Sequence, residues 1–313
     1  YNARLPKPAW PPTCYPDITA RALVERLADF LGVAPENVTV GCGSVALCQQ
    51  LVQAVCAPGD EVLYGWRSFE AYPIIARIAH AVPVQVPNRE DGSLDLDAIA
   101  DAVTDRTRLI FVCTPNNPTG PAISRTDLAA FLDRIPDRVT VALDEAYYEY
   151  MRSEDPVDGV AEAISRPNVV SLRTFSKAYG LAGLRVGYLV GPAQLVTSVA
   201  KMIVPFSVSS PAQAAGIACL EAGDELRART DAVVAERARV REALLERGYT
   251  VPDSQANFVW LPLRERAEEF NAHCRERLVV TRCFAGDGVR VSIGDPDEND
   301  RFIAASQEFV TGM

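Results

Sequence analysis

Lys177 lies in the stretch RTFSKAYGLAGLRVG (residues 173–187), among small and hydroxylated residues directly after the strand-like run NVVSL. A lysine held where water is scarce loses proton affinity and becomes an amine nucleophile that can form a Schiff base with an aldehyde. Lysines are more often solvated surface charges, so its neighbours matter. Thr174 and Ser176 supply hydroxyls and Arg185 a planar cationic fork, a set that suits a phosphate.

Three further polar motifs follow apolar runs. TPNNPTG comes after RLIFVC: it is either an ordinary tight turn or a turn that presents the Asn117 side-chain amide to a ligand oxygen. DEAYYEY comes after VTVAL, and Asp144 there must face solvent, open a helix or pair with a cation, because burying a lone carboxylate is costly. If it pairs with a positively charged ring nitrogen, the phenol of Tyr147 reaches the same ligand. VGCGSVAL places glycines between a strand and a helix, so that the amides of Ser44 and Val45 open at a helix N-terminus where anions bind, although many strand-to-helix turns carry glycine for geometry alone. Together the four motifs describe a ligand with a phosphate, an aldehyde, a cationic ring nitrogen and a ring oxygen, which are the functional groups of pyridoxal 5'-phosphate.

The elements that must position these residues alternate. ITARALVERLADFLG has helical spacing and stops at Gly32; strands at VTVG, DEVLYG, VPVQVP, RLIFVC, VTVALDE, NVVSL and VGYLVG are interleaved with amphipathic helices. Strands that are apolar on nearly every residue imply a sheet covered on both faces, and ligands of such sheets collect at the carboxyl ends of the strands. We expect an α/β three-layer sandwich with a mostly parallel central sheet over residues 18–211. A smaller α+β unit is expected over 212–313, where a long helix, ELRARTDAVVAERARVREALLERG, precedes the strands NFVWL and VRVSI. Residues 1–17, rich in proline, read as an extended arm.

Composition excludes several other classes. A net charge of -10 and pI near 4.9 argue against a nucleic-acid surface, the longest apolar runs are too short for a membrane span, and a cytoplasmic address is expected. The eight cysteines stand singly with no CxxC pair and are read as reduced core thiols, with no metal site expected. His80 and His273 fall outside every motif.

PNNPTG, DEAY and RTFSKAYGLAGLRVG, in this order and at these separations, resemble the fold-type-I pyridoxal-phosphate aminotransferases. The resemblance is closest to the histidinol-phosphate aminotransferase family and its actinobacterial aromatic (phenylalanine) aminotransferase branch, and it runs from YPD at 15–17 to GVRVSIG at 288–294. It implies that Lys177 holds the cofactor covalently and, once released, shuttles the substrate proton. It implies too that Asp144 keeps the pyridine nitrogen protonated, that Asn117 and Tyr147 bond the ring oxygen, and that Phe69 stacks on the ring. Ser176, Arg185 and the amides at Ser44 and Val45, with Thr174, match the phosphate cup. Arg290 resembles the arginine that grips the substrate's acidic group, Arg282 a second one nearby, and Tyr15 a tyrosine that reaches the neighbouring subunit's site in a homodimer.

Departures accompany the match. The chain opens at Tyr1, and family members carry a longer segment before YPD, so either that segment lies outside this sequence or the lid over the substrate is built differently. Phe69 in place of tyrosine, and SVA in place of a more acidic turn, lean toward the aromatic branch. The expected reaction moves an amino group between an aromatic amino acid or histidinol phosphate and a 2-oxo acid such as 2-oxoglutarate. The alternatives are a decarboxylase of a phosphorylated amino acid on the same scaffold, or a cofactor-sensing regulatory domain, which needs an attached DNA-binding module.

Overall fold

β4 (Thr107–Cys113), β5 (Thr140–Asp144), β6 (Val169–Thr174) and β7 (Gly187–Val190) are buried along nearly their whole length, which requires cover on both faces. In the computed structural model of the protein, which describes residues 14–311, they form the middle of a seven-stranded sheet. Its order is β1 (Val38–Gly41), β7, β6, β5, β4, β2 (Glu61–Trp66), β3 (Val82–Pro87). β7 runs antiparallel to both β1 and β6, and the remaining neighbours pair in parallel. The expected mostly parallel α/β sheet is thus present.

Side chains alternate across the strands and sort the two faces. Tyr64, Phe111, Ala142 and Leu172 pack with helices α2 (Ser44–Val55), α3 (Ala71–Ile78) and α7 (Ala193–Ala200). Leu63, Ile110, Val141 and Leu143 pack on the other face with α4 (Leu96–Asp101), α5 (Arg125–Arg134) and α6 (Gly159–Ser165). Beside β1 and β7, α1 (Arg21–Leu31) and α8 (Ser210–Glu221) share a third cluster around Leu23, Leu27, Tyr188 and Ala212. α1 ends as expected at Gly32, whose φ of 69° supplies the left-handed cap.

After the 24-residue helix α9 (Gly223–Glu246), β8 (Phe258–Leu261), β9 (Arg282–Phe284) and β10 (Gly288–Ser292) form an antiparallel sheet in the order β8-β10-β9. Its core with α10 (Ala267–Glu276) and α11 (Pro296–Thr311) centres on Phe270 and Phe302. Tyr147, Tyr150 and Ala178 meet Ala256 and Phe258 to join the small sheet to the large one. The division expected after residue 211 falls inside α8, which packs on α1.

The cysteines correct the reading of all eight as core thiols. All are free, but only Cys48, Cys113 and Cys274 are buried; Cys14 is exposed, and Cys42, Cys56, Cys219 and Cys283 are half-buried. Cys42 lies in the turn before α2, Cys56 caps its end and Cys283 sits in a three-residue strand, where cover is incomplete. Of the expected N-terminal arm, residues 1–13 lie outside the described residues.

Candidate active site

The strand register brings the polar motifs to one edge of the sheet. Cys113 pairs with Asp144, Asp144 with Leu172, and Thr174 with Gly187, which also faces Gly41 at the end of β1. Asp144 shares the face of Ala142, so it points toward α2 and α3. Glu145, the next residue, points to the other face, where it accepts from Ser171 Oγ at 2.6 Å and pairs with buried Arg173 at 3.1 Å. Of the two adjacent carboxylates, one therefore serves the fold and the other faces a pocket of about 260 Å³.

That pocket is lined by Lys177, Asp144, Tyr147, Asn117, Phe69, Ser44, Val45, Thr174, Ser176, Arg185 and Arg290. The TPNNPTG segment forms a tied turn that also lines the pocket. Asn116 is fully buried and ties the turn together, accepting from Ser68 Oγ at 2.7 Å and donating to Thr119 Oγ1 at 2.6 Å. Asn117 faces the pocket; its Oδ1 accepts from Arg290 Nη1, which leaves its NH2 group as the donor for a ligand.

At one end the pocket gathers a guanidinium, two hydroxyls and a helix N-terminus. Arg185 adopts φ of 53°, unusual for a non-glycine residue, and its Nη1 donates to Ser176 Oγ at 3.2 Å and to the Ala182 carbonyl at 3.0 Å. The Ser176 amide donates to Thr174 Oγ1 at 3.1 Å. Opposite stands the N-terminus of α2, where Gly43 provides no side-chain cap and the first amides have no partner within the helix. Gly43 holds φ of 81°, and a Cβ there would stand 2.4 Å from Arg185 Nη2. The left-handed backbone at Gly43 favours glycine, and the guanidinium end packs close to it.

At the other end the groups are short of partners. Asp144 is 4% exposed; Tyr72 Oη donates to its Oδ2 at 2.7 Å, while its Oδ1 has no partner. Burial pushes the Asp144 carboxyl above the usual carboxylate range, and the Tyr72 hydrogen bond only partly offsets this. The Lys177 amine lies 5.4 Å from the centre of the Tyr147 ring. Solvent reaches the lysine through the pocket mouth, yet the surrounding walls strip enough water, and Arg290 repels enough, to lower its pKa. Burial holds the Tyr147 phenol well above its ordinary range, so it stays a donor.

Two residues named from the sequence are not among those that line this pocket. Arg282 is one; its Nη2 pairs with Glu70 Oε2 at 2.9 Å, on edge strand β9 beside Arg290 of β10. Tyr15 is 82% exposed and stacks on Phe206 with ring centres 4.8 Å apart, away from this chain's own pocket. Sequence reasoning missed Tyr72, Glu70, Cys113 and Phe284. Tyr72 carried a signal: it follows Phe69 by three residues at the start of α3, and their rings meet edge to face at 5.6 Å. Phe284 carried none, since nothing local relates it to the large sheet. Among the described residues no group of three or more His, Cys, Asp or Glu side chains is placed to hold a metal, and no helix is long and apolar enough to cross a membrane.

Known proteins resemble this chain in sequence and fold. An aromatic amino acid aminotransferase of Rhodococcus erythropolis is 59% identical over 290 residues, 93% of this chain and 80% of that protein. The crystal structure of histidinol-phosphate aminotransferase from Sinorhizobium meliloti in complex with pyridoxal-5'-phosphate superposes with a TM-score of 0.87 at 28% identity, over 96% of this chain and 83% of the other. L-threonine-O-3-phosphate decarboxylase from Porphyromonas gingivalis superposes with a TM-score of 0.82 at 26% identity, over 95% and 91%. Residues 13–305 match the family Aminotransferase class I and II, and the chain belongs to that family.

Proposed function

We propose that the pocket binds pyridoxal 5'-phosphate and that the enzyme moves an amino group from an aromatic amino acid to a 2-oxo acid such as 2-oxoglutarate. One observation carries the reading: an amine of lowered pKa, a buried carboxylate with an unpartnered oxygen and a guanidinium–helix cradle line a single pocket. Each fits one group of the cofactor. Asp144 Oδ1 suits a ring N–H, Asn117 and Tyr147 suit the ring oxygen, Phe69 the ring face, and Arg185, Ser176, Thr174 and the Ser44 and Val45 amides suit the phosphate.

When bound, the cofactor supplies an electron-accepting ring and an aldehyde carbon that takes up amines. Lys177 then holds and returns the proton at the substrate carbon, and no histidine lies in the pocket to compete for that task. Arg290, whose Nε has no partner, binds the substrate's acidic group. Asp144 holds its negative charge against the ring, and Tyr72 holds Asp144. Tyr72→Phe keeps the stacking on Phe111 at 4.4 Å but removes the donor. We expect turnover to fall about tenfold, the scale of one hydrogen bond to a charged group, measured as initial rate at saturating cofactor.

The aromatic choice of donor is favoured by the name of the 59%-identical relative and by Phe69 and Phe284 in the pocket wall. A donor panel with 2-oxoglutarate tests it. Phenylalanine and tyrosine should give the highest kcat/KM; a preference for histidinol phosphate or aspartate overturns the assignment of donor. The decarboxylase on the same scaffold is the competing reading, and carbon dioxide release without keto acid would establish it. We read Tyr15 and the exposed Ile18, Val204 and Phe206 as a homodimer contact that carries Tyr15 toward the partner's pocket. We read the enzyme as cytoplasmic, a compartment that keeps free cysteines reduced. We draw the boundary between the large and small units between α8 and α9.

A further inference from the structure

Cations stand close together at the side of the pocket formed by the small sheet, and two of them are already neutralised. Arg67 pairs with Asp287 and lies 4.3 Å from the Trp66 ring. Arg282 pairs with Glu70 at 2.9 Å, and its guanidinium lies 5.5 Å from the ring of Phe284. Arg290 differs: among the described residues no carboxylate pairs with it, and it rests against the Asn117 amide and, at 5.1 Å, the Phe258 ring. Glu70 itself lines the pocket beside Phe284.

We propose that Glu70 sets the class of side chain the enzyme accepts, by holding Arg282 against the Phe284 wall and so keeping the side-chain compartment apolar and without net positive charge. An aromatic side chain meets Phe284 and a neutral ion pair. An anionic side chain meets the Glu70 carboxylate and must displace it before reaching Arg282. Both partners of the pair are well solvated, with side chains 59% and 44% exposed, so the barrier is a bias and not a block. A dicarboxylic oxo acid can therefore still serve as the second substrate, by taking the place of Glu70 on Arg282. The inference rests on the aminotransferase reading above and deepens it to a named determinant of specificity.

The test is a ratio, kcat/KM for phenylalanine over kcat/KM for histidinol phosphate, measured on the holoenzyme. Glu70→Gln keeps the size of the side chain and removes its charge, freeing Arg282. It should lower the ratio about fivefold, the scale of one half-exposed charge, and lower KM for 2-oxoglutarate. The double variant E70Q/R282Q, with neither charge, should return the ratio to the wild-type value. Because both donors are read on one preparation, any loss of folded enzyme cancels. A ratio unchanged in E70Q, or a shift that persists in the double variant, overturns the proposal. If wild type instead fails to use aromatic donors, the functional reading itself fails, whatever E70Q does.

Discussion

Lys177→Ala is expected to reduce turnover on the order of 10⁴-fold or more, because it removes both the covalent attachment and the group that moves the substrate proton. Borohydride reduction of the cofactor-loaded wild type should leave an adduct that maps to Lys177 and is absent from the variant. The chain's other lysines are Lys7 and Lys201, and an adduct on either would show the site to be wrongly placed. The pH dependence follows from the same surroundings. Desolvation and, after it, Arg290 lower the Lys177 pKa, while Asp144 opposes them. The neutral amine therefore prevails in a pH range where a solvated lysine, with a pKa of about 10.4, is still charged. The rate at which apoenzyme takes up cofactor should rise with pH and level off below that value. In Arg290→Gln, which removes the second of those causes, the midpoint should move up. A midpoint at the ordinary lysine value in wild type would show that the pocket does not prepare the amine.

Asp144→Asn should separate activity from stability in opposite directions. Removing the fixed negative charge opposite the ring is expected to cost about 10²–10³-fold in turnover, the range seen for single preorganised electrostatic groups. The apoenzyme should nonetheless be no less stable, since the wild-type carboxylate is buried with one oxygen unpartnered and is costly there. The sign follows from the raised pKa. Between the ordinary aspartate value and the higher folded value the native state binds more protons than the unfolded chain, so wild-type apoenzyme loses stability as pH rises through that window. Thermal melts of apoenzyme against pH should show this decline in wild type and a flatter profile in D144N. A variant that is both inactive and markedly less stable would mean that Asp144 serves the fold, as Glu145 beside it does.

Much of the site was legible because its parts are local. Asn117 and Lys177 follow a strand within a few residues, Asp144 ends one and Arg185 stands just before one, and apolar runs bounded by turn residues mark where strands end. Parallel strands then bring their carboxyl ends to the same edge, so motifs far apart in the chain converge. Tyr72 and Glu70 were missed although they adjoin Phe69: in one strand-to-helix turn, a change of one residue decides whether a side chain faces ring, carboxylate or solvent. Arg282 shows the limit from the other direction. Its residue type suited a substrate-binding arginine, but its ion-pair partner, Glu70, lies 212 residues away and no local pattern joins the two.

Sequence alone determines the alternation of strand and helix, the order of the polar motifs and the chemistry each residue can perform, because these depend on periodicity and on covalent side-chain identity. Tertiary structure decides which of two neighbouring carboxylates meets the pocket and which arginines remain free to bind a substrate. It also decides how much water reaches Lys177. Those outcomes depend on strand pairing and on long-range charge partners, and through them desolvation turns ordinary residue types into a carboxyl of raised pKa and an amine of lowered pKa.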